Sequence, residues 1–254
     1  MTRIKVVSFD AMNTVIKLHS PVGQEYAIAA KRRQAQFGLE LNLNIEKLNQ
    51  SFMVAFKEMN TASPCYGFSG IGANAWWNEV VRRCFWQSGC FDSKQERQLL
   101  GSEDEFLSAV GNDLFEHFAS TVPWSFNSEV IPVSQKLRQQ GILVTVLSNF
   151  DSRLRHILSG FGFNEHIDRY YLSGELGVAK PSPEIFHRLL SDFDVPAASV
   201  LHVGDSIDKD YQPARQLGME AYVFDLTGGG SPGDASPERL KSLKDILAIV
   251  QCNV

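Results

Sequence analysis

Ile4-Lys5-Val6-Val7-Ser8-Phe9-Asp10 decides how the rest of the chain is read, as a short apolar run that stops on a carboxylate. A run this brief is too short for a secretory core or a membrane span, and it fits a strand covered on both faces of a sheet. Three further segments carry polar groups of matching kind. Ile142-Leu143-Val144-Thr145-Val146-Leu147 runs into Ser148-Asn149, Lys180 stands before Pro181, and Val200-Leu201-His202-Val203 runs into Gly204-Asp205, with Asp210 beyond. Parallel strands that end in such residues gather them at their carboxyl ends, where open α/β sheets take their ligands. Carboxylates on the first and fourth strands, a hydroxyl on the second and a lysine between them form a set suited to an anion and a metal ion, as phosphoryl transfer needs.

Around these segments the pattern has two textures. From Ser20 to Ser120 the spacing is helical. Ser20-Pro21 predicts a cap and first-turn proline ahead of Val22, Tyr26 and Ala29, and Gly38 closes that helix. Asn44 predicts the cap of a helix with an apolar side of Ile45, Leu48, Phe52, Phe56 and Met59. Trp76, Trp77, Val80, Val81, Cys84 and Phe85 lie on another, and Ser102 with Glu105 makes a capping box before Phe106, Val110, Leu114 and Phe118. After Trp124 strands alternate with helices: strands at 142–147, 170–172, 200–203 and 221–224, and helices near Leu154 to Leu158, Ile185 to Leu190 and Ala214. Gly228-Gly229-Gly230 marks a turn, and Ser236-Pro237 caps a final helix through Leu240, Leu243, Leu247 and Val250. The expectation is an α/β fold, a doubly wound, Rossmann-like parallel sheet formed by 1–16 and 124–254, with an inserted α-helical cap domain at 17–123 over the strand ends.

The chain has 254 residues, 44% of them apolar, and a formal net charge of -5, which is enough to bury a full core and offers no attraction to nucleic acid or an anionic membrane. Cys65, Cys84, Cys90 and Cys252 form no CxxC pair and have no clustered histidines, so reduced thiols and a cytoplasmic location are expected rather than a zinc site or a disulfide framework. No segment reaches membrane-spanning length, and nothing in the sequence specifies an oligomeric state.

In order and spacing, Asp10-Ala11-Met12-Asn13-Thr14, Ser148, Lys180-Pro181 and Gly204-Asp205 to Asp210 resemble the four motifs of the haloacid dehalogenase-like hydrolase superfamily, in the subclass with a helical cap after the first motif. Taken singly each piece has an ordinary reading as a strand-end cap, a turn or a solvated loop lysine; the combination is specific. The resemblance implies a small phosphorylated substrate and Mg²⁺. Asp10 would attack phosphorus to give an aspartyl phosphate, splitting one hard displacement into two. Asp10 and Asp205 are the natural metal ligands, with the backbone carbonyl of Met12 a third by resemblance. Lys180 would set a positive charge against Asp10 and the phosphoryl oxygens, and the Ser148 hydroxyl and the Asn149 backbone amide would bind those oxygens. Asp210 would orient Lys180 or a metal-bound water.

One motif position departs from the pattern. Where the superfamily's phosphatases carry a second aspartate as acid and base, this chain has Met12, and neither a thioether nor the neutral Asn13 moves a proton. Three readings follow: a Mg²⁺-dependent phosphatase that is slow or limited to good leaving groups, an impaired member that binds phosphate and metal, and a metal-free 2-haloacid dehalogenase, against which Asp205 and Asp210 stand. His202 reads as a packed or hydrogen-bonded core histidine and the Trp76-Trp77 pair as cap core. Ser63 to Ala75, with Gly67, Gly70 and Gly72, is the candidate for a mobile cleft-facing loop.

Overall fold

The computed structural model describes residues 3–91, 105–225 and 238–252. In chain order its strands are β1 (Val6–Phe9), β2 (Ile16–Leu18), β3 (Trp124–Phe126), β4 (Leu143–Ser148), β5 (Arg169–Leu172), β6 (Val200–Gly204), β7 (Glu220–Phe224) and β8 (Arg239–Leu240). The longer helices are α1 (Val22–Gln34), α2 (Ile45–Ala62), α3 (Gly72–Ser88), α4 (Glu105–Ala119), α5 (Val130–Gln139), α6 (Arg153–Gly160), α7 (Pro183–Phe193), α8 (Gln212–Gln216) and α9 (Asp245–Cys252). Contacts divide the chain into two units, Met1–Lys17 with Ser125–Val254, and Leu18–Trp124.

In the first unit six strands form one parallel sheet in the order β5-β4-β1-β6-β7-β8. All four residues of β1 are buried, as a central strand covered on both faces requires. Val6, Leu147 and Val200 of the sheet share a core with Ile185, Phe186 and Leu189 of α7. Each such side chain contributes roughly 1.5–3 kcal/mol by leaving water. The chain runs from β1 to β4 on one side and later to β6 on the other, so strand order switches direction beside β1. A crevice opens at the carboxyl ends of strands at such a point.

The second unit is built from α1 to α4: α2 packs on α1 and α3, and α4 on α1 and α3. Asn44 caps α2, its side chain accepting from Lys47 N at 3.0 Å. Trp76 is fully buried and donates from Nε1 to the Ser63 carbonyl at 2.7 Å, and the Tyr66 ring lies edge-on to it at 5.2 Å. These contacts hold Cys65 and Tyr66 in left-handed backbone, with φ of 52° and 57°, a conformation costing roughly 1–2 kcal/mol per non-glycine residue. Among the described residues no helix is long and apolar enough to cross a membrane.

Several local expectations are corrected. Ser20 does not cap α1: Pro21 occupies the cap position with ψ of 142°, so the helix starts one residue later. Ile45 is exposed, and the buried stripe of α2 is Leu48, Ser51, Ala55 and Met59. Leu240 lies not in the last helix but in β8, where it is level with Phe224 of β7, and α9 begins at Asp245. Helix α5 is not marked by any of the sequence patterns described above. The Ser102 box partner, the Gly228-Gly230 turn and the Ser236-Pro237 cap lie outside the described residues.

Candidate active site

Register brings the functional residues of the first unit together. Phe9 is level with Val146 of β4 and with Val203 of β6. One residue on, Asp10 N donates to the Val203 carbonyl at 2.8 Å, so Asp10, Ser148 and Gly204-Asp205 leave their strands at the same end of the sheet.

Lys180 lies buried in the middle of this group. Its Nζ donates to Asp10 Oδ1 at 2.8 Å, to Asp210 Oδ1 at 2.5 Å and to the Leu147 carbonyl at 3.1 Å, so all three ammonium hydrogens are used. Asn149 fixes the lysine's backbone: its Nδ2 donates to Lys180 O and its Oδ1 accepts from Lys180 N, both at 2.8 Å. This paired clamp by the Asn149 side chain is additional to the backbone amide role expected of Asn149 and has no signature in the sequence. Burial opposes the Lys180 charge, but the carboxylates of Asp10 and Asp210 outweigh it and hold the ammonium above its ordinary range.

The two carboxylates differ. Burial pushes the Asp10 carboxyl up; Lys180 and a hydrogen bond from Ser148 pull it back, and the Asp210 charge pushes it further up. Burial also works against Asp210, but Lys180 and His202 prevail and hold it well below the usual carboxylate range. Asp210 Oδ1 accepts from Lys180 and lies 3.0 Å from His202 Nε2, while Oδ2 accepts from Ser206 N at 3.1 Å. Both oxygens are thus engaged. The side chain folds back against Gly204, where a Cβ would lie 2.2 Å from Asp210 Cγ, so only glycine fits there.

Asp205 follows at the strand end, half-buried, and accepts from Asn13 Nδ2 at 2.8 Å. Asn13 has φ of 56°, a left-handed position that asparagine tolerates better than most residues. Asn13, which cannot move a proton, instead donates to Asp205, and its signal in the sequence is an asparagine at a strand-to-turn junction. Met12 is half-buried and bridges to Ile16. Asp10, Asp205 and Asp210 each present an oxygen within 4.8 Å of the others, a grouping of carboxylates that could hold a metal ion. The donor set is all oxygen and so fits a hard divalent ion.

A second cleft of about 460 Å³ opens at the β5 edge of the sheet and shares no residue with this cluster. Its arginines are committed to carboxylates, Arg155 to Glu175 at 2.8 Å and Arg169 and Arg188 to Asp192 at 3.3 and 3.5 Å, which leaves that cleft poorly suited to an anion.

The family model described as haloacid dehalogenase-like hydrolase matches residues 4–218. Haloacid dehalogenase-like hydrolase domain-containing protein 3 of Bos taurus is 32% identical over 233 residues, 91% of this chain and 85% of the relative. A 2-haloacid dehalogenase from Pseudomonas syringae pv. Tomato superposes with a TM-score of 0.64 at 20% identity, covering 99% of this chain and all of the other. A HAD phosphatase from Thermococcus onnurineus does so with 0.61 at 17% identity, covering 97% and 98%. At these identities the two structures establish the fold alone, and their names span two reactions. The family match and the curated relative reach further, and the chain belongs to the haloacid dehalogenase-like hydrolases.

Proposed function

We propose that the protein hydrolyses a small phosphate ester or anhydride through Asp10, with Mg²⁺ as its ion. The observation that carries this reading is the grouping of three carboxylates with oxygens within 4.8 Å of one another, two of them, Asp10 and Asp210, paired with one buried ammonium. A dehalogenase acting on a carboxylate substrate without metal would gain nothing from Asp205 and would be repelled by it. Asp10 and Asp205, with the Met12 carbonyl, would hold the ion. When bound, Mg²⁺ offsets the negative charge where carboxylate and phosphate meet and favours the ionised form of Asp10.

The residues divide the remaining work. An Asp10 oxygen forms a bond to phosphorus as the leaving oxygen departs, giving an aspartyl phosphate; water then attacks that phosphorus, releasing phosphate and restoring the carboxylate. Lys180 holds Asp10 in place and sets a fixed positive charge beside the phosphoryl oxygens, Ser148 and the Asn149 amide bind those oxygens, and Asp210 keeps the ammonium aimed. With Met12 unable to deliver a proton, the first step favours leaving groups that depart as stable anions, such as acyl and aryl phosphates, and the second step is slow. Buried free thiols at Cys65, Cys84 and Cys90 go with a cytoplasmic location.

The test is phosphate release from p-nitrophenyl phosphate with and without Mg²⁺. Loss of release on chelation and on Asp10→Asn supports the reading; release indifferent to both rejects it. A binding protein without turnover is the second reading, favoured by Met12 alone, and a measurable Mg²⁺ affinity with no release across a phosphate panel would establish it.

A further inference from the structure

His202 lies inside β6, buried, and has no place in the reaction described above. Its ring is nevertheless held on three sides. Nδ1 lies 3.1 Å from the Ser8 hydroxyl of β1, Nε2 lies 3.0 Å from Asp210 Oδ1, and the Phe186 ring of α7 stands perpendicular to it at a centroid distance of 5.3 Å. The oxygen that meets Nε2 is the same one that accepts from Lys180.

We propose that His202 is a positioning residue: anchored by Ser8, it fixes Asp210 from below, and through Asp210 it aims the Lys180 ammonium at Asp10. Asp210 Oδ1 already accepts from the Lys180 ammonium and Oδ2 from Ser206 N, so Nε2 of His202 meets an acceptor and is the donor of the contact. Ser8 then sets the ring's rotation from its other nitrogen. A buried carboxylate that loses one donor turns toward those that remain, and for Asp210 this would draw the shared oxygen away from its present place between ring and ammonium. The inference concerns the route by which Lys180 is held, and its value for catalysis rests on the phosphoryl-transfer reading.

The two outer nitrogens supply the test. A glutamine amide reaches the place of Nε2, whereas an asparagine amide reaches only the place of Nδ1. In ¹⁵N-lysine-labelled full-length protein, the protected Lys180 ammonium signal, assigned by its loss in Lys180→Arg, is expected to persist in His202→Gln. It should broaden away in His202→Asn and weaken in Ser8→Ala, with the two His202 variants matched in thermal stability. In the same preparations with Mg²⁺, p-nitrophenyl phosphate turnover is expected to fall about 10- to 100-fold in His202→Asn with KM little changed, and to recover most of that loss in His202→Gln. An ammonium signal that survives in His202→Asn overturns the proposal, as does equal turnover in the two variants. If the wild-type protein releases no phosphate, the phosphoryl-transfer reading fails while the ammonium signal still decides whether His202 aims Lys180.

Discussion

Asn13 and Asp205, 192 positions apart in the chain, are joined by a hydrogen bond of 2.8 Å from carboxamide to carboxylate. The asparagine sits one place after Met12, at a turn whose left-handed backbone points its side chain across to the end of β6. A metal-binding carboxylate is aimed by the donors behind it, and removing such a donor typically costs about 10- to 100-fold in affinity. Asn13→Ala is therefore expected to weaken Mg²⁺ binding by about tenfold, measured by calorimetry. An unchanged affinity would mean that Asp205 is oriented by other contacts or does not bind the ion.

On the proposed mechanism, Met12 sets the pace of the second step. With no base at that position the phosphoryl group on Asp10 should accumulate, and mass spectrometry after an acid quench should detect it. Met12→Asp is expected to speed its breakdown by about 10²- to 10⁴-fold, the usual worth of a placed acid or base. Equal rates in the two proteins would show that another group activates the water.

Gly204 gives a prediction about stability. Asp210 has donors on both oxygens and cannot swing away from a Cβ placed 2.2 Å from its Cγ. Gly204→Ala should lower stability by about 1–3 kcal/mol, as overpacking a close-packed site does. Urea unfolding would register this as a lower midpoint at constant slope. A midpoint equal to that of the wild type would show that the Asp210 network is loose.

The sheet was largely legible because β1, β4 and β6 are short apolar runs rich in β-branched residues, each closed by a polar or glycine-bearing turn. The polar residues after them were legible for the same reason: a strand end fixes where the next side chain lies. Helix α5 escaped notice because Pro132 stands near its start, where a proline reads as a loop signal although the missing N–H costs no helical hydrogen bond. The two-residue β8 carries too little pattern to be seen, and it displaced the expected start of the last helix. Within the site the residue types were readable, but not the links between them. That Asn149 clamps the Lys180 backbone and that Asn13 reaches Asp205 depends on turn geometry that spacing does not encode.

The cysteines test burial in the helical unit. Burial pushes the Cys84 thiol up from 9.0 to about 12, and the Cys90 thiol to about 11. Below pH 9 both thiols are protonated in folded and unfolded chains alike, and the full stability is present. Above pH 9 the unfolded chain ionises first and binds fewer protons, so stability should fall progressively as pH rises toward 11 and 12. Ellman's reagent at pH 8 is expected to leave both thiols unmodified until denaturant is added; rapid native-state reaction at either would contradict their burial.

The central claim is that Asp10 and Asp205 share one divalent ion beside the Lys180 ammonium. Calorimetric titration of Mg²⁺ into the wild-type, Asp10→Asn and Asp205→Asn proteins tests it most directly. The expected result is a single saturable site in the wild type, weakened at least tenfold by either substitution. Affinity that is absent from the wild type, or that survives both changes, would contradict the account.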